Sequence, residues 1–136
     1  MNALEDSKVN VKLKLASLWA SLMFLYIYVD YFSLYMPNKI NDILKGKVFV
    51  FEITQGFLLA TLTSMTIPAL MIFLSVTFPA KANRWANIII AIVYIPYTLF
   101  NLSGEAWRHM AFGAVVEVVL LCLVIHYSWK WPRSEA

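Results

Sequence analysis

Apolar residues run almost unbroken over four long stretches of the chain, and polar residues gather in the three gaps between them. A helix that crosses the ~30 Å hydrocarbon core of a bilayer needs about 20 predominantly apolar residues. The stretches at about 13–36, 49–78, 85–102 and 110–129 come near or exceed that length and predict four transmembrane helices. Pro37 with Asn38, Pro79, Ser103 with Gly104, and Trp131 with Pro132 supply the stop signals. The gaps at 38–47, 80–84 and 104–109 are short, and short connections force antiparallel neighbours. The predicted fold is all-α: one transmembrane domain over 1–136, an integral membrane four-helix bundle of up-down-up-down topology.

Two irregularities stand inside this pattern. The second stretch would span about 45 Å as a helix, at ~1.5 Å per residue, so it tilts or its first turns stand outside the lipid. Glu52 and Gln55 in those turns favour protrusion or burial against other helices. Pro68 and Pro96 lie within predicted helices, where each removes a backbone hydrogen bond and predicts a kink.

Composition agrees with the membrane reading. Hydrophobic residues make up 61% of the chain and charged residues 14%, and the mean hydropathy is +0.69. Soluble domains carry about 25% charged residues. A chain of 136 residues cannot hide this much apolar surface in a core, so the surplus faces lipid. Lys8, Lys12 and Lys14 before the first stretch resemble the start of a signal peptide. The stretch exceeds the usual ~7–15-residue signal core and no small-residue cleavage site follows, so it reads as a retained helix.

The net charge of +3 bears on orientation rather than on nucleic acid, for which nothing speaks. Seven Lys and Arg (Lys8, Lys12, Lys14, Lys81, Arg84, Lys130, Arg133) fall on one side and four (Lys39, Lys45, Lys47, Arg108) on the other. The positive-inside rule places the seven, and with them both termini, in the cytoplasm. Trp85, Trp129 and Trp131 then lie at cytoplasmic helix ends and Trp107 at an outer one, the depths that indoles prefer. The single cysteine, Cys122, sits in an apolar run and reads as filler. Neither a metal centre nor a cofactor is called for: there is no phosphate loop, GxGxxG, HExxH, CxxC or GxSxG.

Candidate chemistry lies in the ionisable groups of the predicted spans, which cost about 2.5–3.5 kcal/mol each at mid-bilayer on insertion scales. Asp30 falls about 9 Å and Glu117 about 10 Å inside the outer helix ends. Glu52 and Asn101 stand in the same outer half. Helical spacing groups Glu52, Gln55, Gly56 and Thr63 on one face, Tyr94, Tyr97, Thr98 and Asn101 on another, and Tyr26 with Asp30 on a third. Gly113, one turn before Glu117, predicts open space beside the carboxyl. Pointed inward, Asp30, Glu52, Gln55, Tyr94, Tyr97, Asn101 and Glu117 would line an outward-opening pocket, with Tyr26, Arg108 and His109 within reach. Alternatives stand for each acid. Asp30 pairs with Arg108 or Lys47, Glu52 caps a helix start, and Glu117 is a protonated acid that fastens helices. His126 lies at the wrong level, and Ser17 with Ser21 and Ala16 with Ala20 give spacing for close packing or for a homodimer.

The runs Tyr28-Val-Asp30-Tyr31-Phe32, Glu52-Ile-Thr-Gln55-Gly56, Ile67-Pro68-Ala-Leu-Met-Ile-Phe-Leu-Ser75 and Asn83-Arg84-Trp85-Ala-Asn87 resemble a family of small bacterial four-helix membrane proteins of unknown function. The resemblance covers about 8–132 and implies a bacterial inner-membrane setting, without an activity or catalytic residues. The architecture is loosely similar to DoxX-like proteins and to the sterol-isomerase-like fold, likenesses that transfer no function. Three functions remain open. One is a module that binds or passes a small cationic or amphipathic molecule, or protons. The second is a structural or accessory membrane subunit without a ligand. The third is an enzyme using Glu117 and Asp30 as an acid/base pair on a lipid-like substrate.

Overall fold

The computed structural model describes residues 2–103 and 106–133. Its elements in chain order are α1 (Val11–Ser33), α2 (Lys39–Leu44), β1 (Lys47–Val48), β2 (Phe51–Glu52), α3 (Gln55–Thr77), α4 (Ala80–Phe100) and α5 (Arg108–Trp129). Among the described residues the chain is all-helical apart from the two short strands. Three of these helices, α1, α3 and α5, are long and apolar enough to cross a membrane. The fourth long helix, α4, is less apolar because its first two turns carry Lys81, Asn83, Arg84 and Asn87.

Local chemistry sets the helix ends. Asn10 caps α1, its Oδ1 accepting the Lys12 N–H at 2.7 Å. The helix stops at Ser33, three residues earlier than its apolar run, because Pro37 and a left-handed Asn38 (φ 68°) redirect the chain into α2. Asparagine tolerates that conformation better than most residues. Gly46 (φ 81°) then leads into an antiparallel hairpin that pairs Lys47 with Glu52 and Val48 with Phe51. The expected helix from 49 therefore begins only at Gln55, where the Thr54 hydroxyl accepts the Phe57 N–H at 3.0 Å. This removes the excess length: α3 has 23 residues, and the apolar Val48–Phe51 run belongs to the hairpin.

The expected gap at 80–84 is also corrected. Phe78 and Pro79 alone form the turn, and α4 starts at Ala80. Proline lacks the N–H that a first helical turn leaves unpaired, so the residue that ends α3 also opens α4. At the far end α4 closes at Phe100, with Asn101 as its cap. Gly104, expected as part of that stop, lies outside the described residues. α5 begins at Arg108, two residues before the apolar run.

α1 packs against α5 and α3, and α4 packs against α5 and α3. The buried faces follow helical spacing: Leu15, Trp19, Leu22 and Tyr26 on α1; Asn83, Asn87, Ala91, Tyr94 and Thr98 on α4; Gly113, Glu117, Leu121, Val124 and Ser128 on α5. α3 contributes Pro68, Met71 and Ser75. The outward faces are apolar instead of charged: Phe24, Leu59, Leu62, Phe73 and Val115 are each more than 60% exposed. An outer surface of this kind suits acyl chains and not water.

Candidate functional site

The interior between these helices is polar at two levels, and two prolines, Pro68 within α3 and Pro79 after it, explain much of it. Pro68 has no N–H, so the carbonyl of Ser64, four residues earlier, loses its helical donor. The Tyr94 hydroxyl of α4 donates to that carbonyl, and the Tyr97 hydroxyl lies 3.2 Å from the Ser64 hydroxyl. From α1, Tyr26 reaches the Thr98 hydroxyl at 2.6 Å. The rings of Tyr26 and Tyr94 each lie against that of Tyr97, with centroids 6.3 and 5.2 Å away. Tyr26, Tyr94, Tyr97 and Thr98 thus form one tyrosine-walled cluster linking α1, α3 and α4.

Glu117 enters this level from α5. It is 4% exposed, and its Oε2 has no hydrogen-bond partner among the described residues. Tyr26 and Asp30, both of α1, lie within electrostatic range of it. The open space expected beside Gly113 is absent: a Cβ there would lie 2.6 Å from Val29 Cγ2, so α1 and α5 meet backbone to side chain at this point. Glu117 is therefore enclosed by the helix contact, with little free volume on its Gly113 side.

A second polar level lies toward the chain termini. Pro79 leaves the Ser75 carbonyl without its helical donor, just as Pro68 does for Ser64. The Asn83 amide donates to that carbonyl at 2.7 Å and to the Phe78 carbonyl at 3.3 Å. Asn87 donates to the Asn83 Oδ1 at 2.7 Å and to its backbone carbonyl at 2.9 Å. The Asn87 Oδ1 in turn accepts the Trp19 indole N–H at 2.7 Å and the Ser75 hydroxyl at 3.4 Å. Trp19, Asn83, Asn87 and Ser75 are all buried and join α1, α3 and α4. Beside them, the Arg84 Nε donates to the Ser128 carbonyl of α5 at 3.0 Å.

A family model of unknown function matches residues 1–136, the whole chain. The chain belongs to the family DUF6326. No curated protein and no solved structure matches it. Membership in DUF6326 agrees with the resemblance to a family of unknown function and assigns no activity to any residue.

Within this DUF6326 chain, the residues predicted to meet do so only in part. Tyr26, Tyr94, Tyr97 and Glu117 converge as described. Asp30 sits one turn above Tyr26 but is exposed. His109 is half-buried, its Nε2 3.4 Å from the Ser33 hydroxyl, whereas Arg108 is exposed. Asn101 caps α4 and is exposed. Glu52 and Gln55 are not brought to the cluster: Glu52 lies opposite Lys47 in the hairpin, Gln55 opens α3, and both are exposed. Thr63 of the same stripe is exposed too, because α3 buries the face of Pro68, Met71 and Ser75 instead. The apolar pattern does not predict the asparagine level, because it assigns 80–84 to a gap. The signal was there in Asn83 and Asn87, one turn apart and just after a proline.

Proposed function

We propose that this protein is a multi-pass protein of the bacterial inner membrane, with α1, α3, α4 and α5 crossing as an up-down-up-down bundle and both termini cytoplasmic. Its function resides in Glu117, which takes up a proton or another small cation inside the membrane. One observation carries this reading: Glu117 is buried between helices while one of its carboxyl oxygens lacks a partner among the described residues. A buried acceptor without a donor costs about 1–3 kcal/mol, more if charged. A chain that keeps such a group holds a proton or a cation there, and membrane carboxyls commonly mark ion pathways. The phenol of Tyr26 nearby suits cations and proton exchange alike. Asp30, exposed and one turn above Tyr26, would be the group through which the outer surface exchanges with Glu117.

The test is proton uptake into liposomes that carry the purified protein, read with a pH-sensitive dye under an imposed potential. The wild type should acidify or alkalinise the lumen faster than empty liposomes. Glu117→Gln should abolish the difference while the protein stays folded, and Asp30→Asn should slow it.

A second reading is favoured by a specific observation, the bonds Tyr26–Thr98 and Tyr94–Ser64, which satisfy most of the layer internally. On that reading the layer fastens the helices and the protein is an accessory subunit. Glu117→Gln would then change stability alone, and wild-type liposomes would behave like empty ones.

A further inference from the structure

Far from Glu117, the end of the bundle that holds the start of α1, the end of α5 and the α3–α4 turn carries an open groove of about 570 Å³. Lys81, Arg84 and Arg133 supply three cations to its lining, Trp85 and Trp131 supply two indoles, and among the described residues no carboxylate lines it. A neighbouring groove of about 410 Å³ begins on the other side of Trp131 and adds Lys8. Arg84 is held in place: its guanidinium donates to the Ser128 and Trp129 carbonyls and lies over the rings of Trp85 and Trp129 at 5.1 and 5.2 Å. Those partners are neutral, so they fix its position without cancelling its charge. Ala80 and Lys81, also in the wall, begin α4, and the start of a helix adds partial positive charge.

We propose that this groove binds the phosphate headgroup of an anionic phospholipid. The proposal rests on the membrane placement of the helices and is independent of Glu117. Tryptophans at this end sit where indoles prefer the headgroup layer, and basic pockets at the ends of membrane helices recognise anionic headgroups. A free phosphate would share the cations. What favours a lipid is the continuation of the groove onto an exposed apolar stripe of α4, from Trp85 through Ile89 to Ile92 and Val93, along which acyl chains can lie.

Native mass spectrometry of the full chain, released from micelles doped with equal phosphatidylglycerol and phosphatidylcholine, tests this. The wild type should retain phosphatidylglycerol about tenfold over phosphatidylcholine, since each basic side chain near an anionic lipid contributes appreciably. The Lys81→Gln/Arg133→Gln variant should bring the two lipids to near equality. Both side chains are exposed, and an unchanged unfolding temperature verifies that the fold is intact. Each single variant should show the same loss at about threefold. Lys39→Gln/Lys45→Gln, at the other end, should keep the preference. Equal retention by the wild type, or a preference that survives the double variant, would overturn the proposal. So would displacement of the lipid by inorganic phosphate, which would assign the groove to the free anion.

Discussion

Tyr94 donates its hydroxyl to the backbone carbonyl of Ser64, the carbonyl that Pro68 leaves without a helical donor. The proline that frees the carbonyl and the polar side chain that pairs it thus come from different parts of the sequence. Tyr94→Phe should leave that carbonyl unpaired away from water and destabilise the protein by about 1–3 kcal/mol. In a Pro68→Ala background residue 68 can supply the missing N–H, so Tyr94→Phe should cost clearly less. Unfolding in mixed micelles measures both, and an equal cost in the two backgrounds would dissociate Tyr94 from the proline.

Asn83 performs the same repair at Pro79, but as a side-chain amide that donates to two carbonyls at once. Asn83→Ala removes both donors and should cost about 1–3 kcal/mol. Asn83→Asp should cost more, because a carboxylate can only accept and would face the Ser75 and Phe78 carbonyls. The same unfolding assay ranks the two variants. An aspartate variant as stable as the alanine one would contradict the assigned donor role.

The α1–α5 contact at Gly113 yields a steric prediction. A Cβ at this position would lie 2.6 Å from Val29 Cγ2, so Gly113→Ala should destabilise by about 1–3 kcal/mol, the usual cost of overpacking. Val29→Ala removes the clashing methyl groups and should recover most of that loss in the double variant. Additive costs from the two substitutions would show that the helices do not meet there.

These relationships explain what the sequence could and could not reveal. The apolar stretches were legible because a membrane span is set by length and apolarity, which one sequence displays directly. Glu117 was legible for the same reason, a carboxyl set among valines. The hairpin around Val48–Phe51 merged with α3 because its residues are as apolar as the helix that follows. Pro79 showed itself as a stop but not as a start, and that hid the asparagines of the first two turns of α4. The space beside Gly113 depends on which helix lies opposite and at what height, and Val29 decides it from 84 positions away in the chain. Glu52 and Gln55 share a depth with Glu117 by sequence distance alone, and depth does not fix the face that α3 turns inward.

On the proposed function, Glu117 exchanges a proton within the helix contact. Infrared difference spectroscopy across a pH titration, on the protein in lipid, tests it most directly. A carboxyl C=O band should appear and disappear with pH, vanish in Glu117→Gln and change its midpoint in Asp30→Asn. A spectrum with no titrating carboxyl, or one in which the band persists unchanged in Glu117→Gln, would contradict it.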